Sequence, residues 1–254
     1  MENATYVSSS KDKEGVEWSA NFEFYPFFVG LHMIIYKGLM FVPGIFFSKK
    51  KAVIKVPRES IPISGNECTS DNLPQEISLS LKAEQFTDIY LQSSDIKDYT
   101  DKKPGFRLQF TRPLATSMES VSGMNNLCRV FSRTPKRLQK GEWILIEESL
   151  KGEFHTFIDS QGKSHNADPL LVALCHFSYE NSDNELVMCN IKGVKGENSI
   201  SLSVPIIHSI DKRYGSRDEG SEGIKRFFAN HKCNSLCNNF AGYSHSATFR
   251  KSVS

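Results

Sequence analysis

A tight group of potential metal ligands near the C-terminus is the feature that most constrains how this chain can fold. His231, Cys233 and Cys237 lie close together, directly after an apolar segment with helical spacing. Structural zinc is tetrahedral and takes thiolate and imidazole ligands, so these side chains need one more ligand, for which His176 is the candidate. Four protein ligands would leave no open position, so such a metal would cross-link the fold and do no chemistry. The alternative is that the cysteines are small buried apolar groups and the histidines hydrogen-bonded core residues.

Charge and cysteine content narrow the class of protein. The formal net charge of +2 gives no long-range field that would attract nucleic acid or an acidic membrane. Six cysteines, two of them beside a histidine, favour metal ligation over a disulfide framework and therefore a reducing, cytoplasmic compartment. The N-terminus has no secretory-signal pattern. The apolar run over 22–47 contains charges and prolines, whereas a spanning helix needs about 20 mostly apolar residues, so we expect no membrane span.

The hydrophobic pattern predicts an α+β fold with two lobes, the first rich in β-structure. Residues 1–19 have the composition of a flexible tail. Strands are predicted over 22–36, with Gly30 in a tight loop, and over 51–56, ending at Pro57. The apolar spacing over 75–91 predicts a helix of the first lobe. A short strand over 143–146 leads into a polar stretch that could join the lobes.

The second lobe is predicted to mix helices and strands. Asp168 and Pro169 begin a buried helix that carries His176, as N-cap and first-turn residue. One strand is predicted over 185–193, ending at Gly193. In the segment 223–231 the apolar residues and His231 share one helical face, so His231 is expected to point toward the core. Residues 242–254 are expected to form a second flexible tail.

Several blocks of this chain resemble the alpha-kinases, a family of atypical serine/threonine protein kinases. In the second half the matching blocks are HFSYE from His176, the strand ending at Gly193, PIIHS over 205–209, and 220–234. In the first half, 26–38 resembles the loop that covers the phosphates, 53–55 the strand of the ATP-binding lysine, and 144–147 the hinge. The resemblance implies a two-lobed kinase-like domain over 20–241, and it is weaker over 57–140.

This resemblance implies ATP bound between the lobes with Mg²⁺, and transfer of the γ-phosphate to a protein hydroxyl. Lys55 is then the cation at the phosphates, Glu147 the hinge residue that presents backbone groups to adenine, and Gly30 part of the phosphate-covering loop. Gly220 and Gly223 form the glycine-rich loop near the substrate. Ordinary alternatives are an edge-strand lysine in water, a solvated strand end, and glycines that only start a helix.

The resemblance also implies the metal ligands. In the family the histidine of the HFSYE-like block completes the zinc site, so His176, His231, Cys233 and Cys237 are the implied structural zinc ligands. No nucleic-acid partner is implied.

This chain departs from the family pattern at the positions that correspond to the catalytic and magnesium-binding residues. Where the family has Asp-x-Gln-Gly, this chain has Asn190, Lys192 and Gly193. Asn190 can accept a hydrogen bond but cannot take a proton, and Lys192 places a cation where a metal ligand belongs. Val204 replaces the aspartate of the family's Thr-Asp-Pro, and a hydrocarbon cannot coordinate Mg²⁺.

Two further observations bear on this loss. Met33 falls where the first-loop pattern has arginine, which removes a phosphate partner. Asp183, Asp211 and Asp218 are close in sequence and could supply a carboxylate, but solvated turn positions are the simpler interpretation.

Three functions are compatible with these residues. The favoured one is a pseudokinase, a zinc-bearing alpha-kinase fold that keeps some nucleotide binding or acts as an interaction module for a protein partner. The second is an active serine/threonine kinase with displaced catalytic groups and a protein substrate. The third is a zinc-containing nucleic-acid binder, against which the near-neutral charge argues.

Overall fold

The computed structural model describes residues 5–30, 32–45, 48–58, 75–131 and 136–237. They divide into two units, the first within 1–78 and 111–151 and the second within 79–110 and 152–254. In chain order the elements are β1 (Thr5–Lys11), β2 (Glu17–Val29), β3 (Met33–Phe41), β4 (Lys50–Pro57), α1 (Gln75–Gln92), α2 (Ser94–Thr100), β5 (Arg107–Phe110), β6 (Leu114–Ser120), α3 (Gly123–Phe131), β7 (Trp143–Glu148), β8 (His155–Ile158), α4 (Pro169–Glu180), β9 (Leu186–Cys189), β10 (Ile191–Lys195), β11 (Ser199–Leu202), β12 (Ile206–Ser209) and α5 (Ser221–Asn230).

The first unit is a closed barrel with the strand order β1-β2-β3-β4-β7-β6. Alternate residues of each strand face its interior, because side chains in a strand point to opposite faces in turn. The side chains of β3, β4 and β7 that face the interior form one apolar core with Trp18, Phe22 and Met118. They are Ile34, Tyr36, Met40, Ala52, Ile54, Val56, Ile144 and Ile146. The expected β-rich first lobe is therefore confirmed.

The tail expected over residues 1–19 is wrong for the described part of that segment. Residues 5–11 form β1, which pairs with β2 on one side and with β6 on the other. Thr5, Val7 and Trp18 are buried, and the serines between them hid this alternation. Without β1 the barrel would have two open edges. The tail expected at 242–254 lies outside the described residues.

The second unit combines a four-stranded sheet in the order β5-β11-β10-β8, a two-stranded sheet of β9 and β12, and helices. Its core joins residues of α1, α4 and α5 to the strands. The helix predicted over 75–91 is confirmed as α1, and the helix carrying His176 is confirmed as α4. The placement of α1 in the first lobe is wrong, because residues 79–92 belong to the second unit and pack into its core. No helix within the described ranges is both long and apolar enough to cross a membrane.

The single strand expected over 185–193 is wrong, because the chain breaks at Asn190. Residues 186–189 form β9, residues 191–195 form β10, and these two strands belong to different sheets. Asn190 has φ of 55°, in the left-handed region that asparagine tolerates better than most residues. Its N–H donates to the Asp159 carbonyl at 3.1 Å. The position that resembles the family's catalytic aspartate is therefore a backbone corner.

Gly193 follows this corner because β10 and β11 approach closely there. A Cβ atom at Gly193 would lie 2.1 Å from the Ser201 carbonyl oxygen and 2.8 Å from Leu202 Cα. Only glycine fits between these backbones. The close approach sets the register of β10 and with it the position of Lys192.

Candidate metal centre and kinase-site positions

Helix α4 carries His176 into the core of the second unit. Asp168 caps the helix by accepting from the Leu170 N–H at 3.1 Å, and Pro169 occupies its first turn. Asp168 also accepts from Lys195 Nζ at 2.9 Å and from the Tyr99 hydroxyl at 3.2 Å. These contacts hold the start of α4, and His176 two turns later is fully buried.

The other three ligands follow α5 directly. The helix ends at Asn230, so His231 is its C-cap residue in extended conformation and not the last member of a helical face. Its ring still stacks on Phe227 at a centroid distance of 5.2 Å, which leaves it half-buried. Asn234, which the sequence analysis missed, donates to the Pro169 carbonyl at 2.9 Å and so ties the ligand loop to the start of α4.

These four side chains converge on one point. One ligand atom from each of His176, His231, Cys233 and Cys237 lies within 4.8 Å of all the others. Cys233 Sγ is 3.6 Å from His176 Nδ1, and Cys237 Sγ is 3.8 Å from His231 Nε2. Tetrahedral zinc with ordinary bond lengths separates a nitrogen and a sulfur ligand by about 3.6 Å. The donor set and its spacing therefore fit a structural zinc ion.

The protonation states around this cluster suit a metal site. Burial lowers the pKa of His176 to about 4, and burial with the neighbouring His176 lowers the pKa of His231 to about 4. Both imidazoles are thus neutral at physiological pH, which is the form that binds a metal. The second ring nitrogen of His176 lies 3.4 Å from Glu180 Oε1. A carboxylate in this place is the usual partner that orients a metal-ligating histidine.

A second buried polar group holds the two glycines in place. The Asp218 carboxylate accepts from the Ser209 N–H at 2.8 Å, the Gly220 N–H at 2.9 Å and the Ser209 hydroxyl. The ring of His208 packs so tightly on Gly223 that a Cβ there would lie 2.4 Å from Cγ of the imidazole. The solvated-turn interpretation of Asp218 is therefore wrong. Gly220 has φ of 70° and is the N-cap of α5, so both glycines do start a helix.

Asn190, Lys192 and Val204, which the sequence analysis assigned to the catalytic and magnesium positions, come together in the second unit. Lys192 lies on β10, and its carbonyl accepts from the Ser203 N–H at 2.8 Å, which brings Val204 beside the strand that follows Asn190. Val204 is only 7% exposed and belongs to the apolar core. The other nearby aspartates do not replace the missing carboxylates, because Asp183 is an exposed turn residue and Asp211 pairs with Arg213 at 3.0 Å.

The lysine expected at the phosphates has a partner in the barrel wall. Lys55 lies on β4, which is flanked by β3 and β7, so the edge-strand interpretation is wrong. Its ammonium forms an ion pair with the Glu147 carboxylate, and their side chains are 17% and 6% exposed. The solvated interpretation of Glu147 is wrong for the same reason. The two residues share the outer face of the barrel as diagonal neighbours.

The backbone groups at the end of β7 that do not pair with a neighbouring strand are those of Glu148, the residue after Glu147. Ser149 N–H donates to the Lys51 carbonyl, and this register makes Glu147 and Val53 a hydrogen-bonded pair. The peptide groups of Glu147 therefore face β4. Those of Glu148 point the other way, where the pairing of β6 with β7 has ended at Ile146. Glu147 contributes its side chain, and Glu148 offers the backbone groups.

Gly30 lies in the tight turn between β2 and β3. Its N–H donates to the Met33 carbonyl at 2.8 Å. The guanidinium of Arg58 donates to the Gly30 carbonyl at 3.3 Å, and the Arg58 N–H donates to the His32 carbonyl at 2.9 Å. A cation thus reaches this loop from the end of β4, although position 33 itself has none.

Comparison with known proteins decides the family. The model of the Alpha-kinase family matches residues 30–237. The chain belongs to the Alpha-kinase family. The alpha-protein kinase vwkA of Dictyostelium discoideum is 29% identical over 151 residues, which cover 58% of this chain and 23% of that protein. The chain therefore matches less than a quarter of the length of this relative.

Solved structures show the same fold. An alpha kinase from Entamoeba histolytica superposes with a TM-score of 0.66 at 18% identity, covering 96% of this chain and 92% of that one. The alpha-kinase domain of myosin-II heavy chain kinase A in complex with AMP-PNP gives a TM-score of 0.61 at 18% identity, covering 94% and 95%. The expected alpha-kinase fold, with its β-rich and mixed parts, is confirmed.

The capping aspartate of α4 in this alpha-kinase domain predicts a pH-dependent stability. Burial acts to raise the pKa of Asp168, but Lys195 and the Leu170 N–H outweigh it and lower the pKa below the ordinary 3.8. We expect Asp168→Asn, which keeps an acceptor, to lose about 1 kcal/mol of unfolding free energy at pH 7, and Asp168→Ala about 2 kcal/mol. The carboxylate's contribution is present above pH 3.8 and is lost as the pH falls through the folded-state pKa. Urea denaturation at neutral and acid pH measures it, and an Asn variant whose deficit does not shrink in acid contradicts this assignment.

Proposed function

We propose that this chain is an alpha-kinase domain that binds nucleotide, has lost most of its capacity for phosphoryl transfer, and acts as a binding or regulatory module for a protein partner. The burial of Val204 in the apolar core carries this proposal. Phosphoryl transfer depends on groups that hold metal and orient the nucleophile. The segment that resembles the family's metal-binding site contributes a packed hydrocarbon instead.

Nucleotide binding is supported by the first unit. The Lys55 ammonium is held by Glu147 on the barrel wall, which fixes the direction of a cation that could meet phosphate oxygens. The backbone groups of Glu148 lie at a strand edge, where an adenine ring can form hydrogen bonds. Both features are independent of the lost carboxylates.

An active serine/threonine kinase is the second candidate. The retained Lys55–Glu147 pair favours it, as does the amide oxygen of Asn190, which can still accept a hydrogen bond from an attacking hydroxyl. A zinc-dependent nucleic-acid binder has no comparable support, because family membership already accounts for the His/Cys group.

We also propose that zinc binds His176, His231, Cys233 and Cys237 and cross-links α4 to the segment after α5. The convergence of four ligand atoms supports this structural role. A reducing compartment such as the cytoplasm is part of this proposal, because it keeps the ligand cysteines available to the metal.

Zinc removal is expected to destabilise the protein strongly. We expect one zinc per chain by metal analysis of the purified protein, and a Tm lower by about 10 °C or more after chelation, because ligand binding free energy adds to folding free energy. Cys237→Ala should abolish zinc retention. Cys128→Ala, which alters a buried cysteine of α3 in the other unit, should keep it. A parent protein that neither contains zinc nor gains stability from added zinc contradicts the assignment.

The ion pair between Lys55 and Glu147 predicts that nucleotide binding requires Lys55. We expect Lys55→Ala to weaken ATP binding by about tenfold or more, since it removes a charge-assisted contact. Lys51→Ala is the matched control, an exposed lysine four positions earlier on the same strand and face. Isothermal titration calorimetry measures both affinities. Equal losses in the two variants would show that Lys55 has no special role.

Phosphoryl transfer separates the two candidate functions. We expect the parent to label a generic protein substrate from ATP at least about 10²-fold more slowly than the Asn190→Asp, Lys192→Gln double variant, because general-base catalysis contributes about 10²–10⁴-fold. Val204 is left unchanged, since a carboxylate in that core position would be buried. Robust labelling by the parent that Lys55→Ala abolishes would establish the active kinase instead.

A further inference from the structure

We infer that nucleotide binding by this chain does not use a magnesium ion, because the ammonium of Lys192 supplies the positive charge for the phosphates. The inference rests on the nucleotide binding proposed above. It follows from a mismatch between the Mg²⁺ that the family implies and the groups that the second unit places around β10.

Magnesium needs oxygen ligands, usually at least one carboxylate. Of the three positions that meet at the start of β10, Asn190 offers a single amide oxygen and Lys192 only donors. Val204 offers a hydrocarbon with 7% exposure inside the core. These three side chains therefore do not form a magnesium site.

Four aspartates of the surrounding segments have other tasks. Asp159 accepts from the N–H groups of Gln161 and Lys163 and lies 3.0 Å from His165 Nε2. Asp218 accepts from backbone and hydroxyl groups around Ser209. Asp168 caps α4 and pairs with Lys195, while Asp211 pairs with Arg213. Recruiting any of them for a metal would break contacts that hold a helix or a turn.

The backbone of Lys192 is fixed within the sheet, and its side chain lies on the face opposite the core. Ile191 is fully buried, so strand alternation places Lys192 on the opposite face of the sheet, where it is half-buried. Its carbonyl accepts from the Ser203 N–H at 2.8 Å and the Ser203 hydroxyl at 3.3 Å, and across the sheet it faces Thr156. Its side chain has no ion-pair partner among the residues that the structure describes.

This arrangement has two electrostatic consequences. A half-buried lysine that pairs with no carboxylate of the described segments attracts the phosphates of a nucleotide, which would replace the water around its ammonium. The same charge repels a divalent cation from the same place. The ammonium of Lys192 would therefore both bind phosphate and exclude Mg²⁺.

The test compares ADP and ATP binding by isothermal titration calorimetry in EDTA and in excess Mg²⁺, on the full chain. We expect affinities in the two buffers that agree within about threefold. Lys192→Gln should lose about tenfold or more in EDTA, the effect of removing a charged hydrogen-bond donor, whereas Lys192→Arg should retain binding. Lys97→Gln, an exposed lysine on α2, is the control for a lost surface charge. Circular dichroism and Tm of each variant check its folding.

The outcomes are distinct. Binding by the parent that needs Mg²⁺, or gains tenfold from it, overturns this inference and leaves the proposed nucleotide binding standing. Absence of binding in both buffers overturns the proposed nucleotide binding and this inference with it. If Lys192→Gln does not fold, the two-buffer comparison on the parent and on Lys192→Arg still decides, because it needs no glutamine variant.

Discussion

The convergence of four potential metal-ligand atoms is the constraint that joins α4 to the segment after α5 in the second unit. His176 comes from the interior of α4, and its partners come from a short segment that follows α5, more than 50 residues later in the chain. Burial keeps the imidazoles neutral, so without a metal this part of the core would hold polar groups in poor surroundings. The polar contacts of Asp168 and Asn234 then serve one purpose, which is to bring α4 and the ligand loop to the same point.

The residues proposed to meet a nucleotide have different surroundings in the two units. In the barrel, Lys55 remains paired with Glu147, so the cation is oriented and shielded from water. In the second unit, Val204 has joined the core, and its position has become part of the packing. Restoring a carboxylate there would require burying a charge, which costs far more than changing a surface residue. Packing alone therefore disfavours a carboxylate at position 204.

The backbone around Asn190 has a special geometry that does not require a carboxylate. Asparagine and aspartate both tolerate the left-handed conformation because their short side chains can bond locally. The corner between β9 and β10 can therefore form with either residue, and Gly193 allows the close approach of β11. The backbone conformation at this position does not depend on a side chain that can take a proton, and Asn190 adopts that conformation.

The sequence alone determined the elements whose signals are local. Neighbouring residues were enough to predict the cap and proline that begin α4, the strand around Lys55, and the spacing of His231, Cys233 and Cys237. The resemblance supported His176, which was already the candidate for the fourth ligand. Tertiary structure decided what depends on distant partners. Strand β1 exists because it closes a barrel with β2 and β6, although its serine-rich sequence has the composition of a tail. Asp218 is a buried acceptor because Ser209 and Gly220 fold around it, and Lys55 has Glu147 because β4 lies beside β7. The local sequence determines the backbone preference of each segment. The burial of side chains and the pairing of strands arise only when segments remote in the chain come into contact.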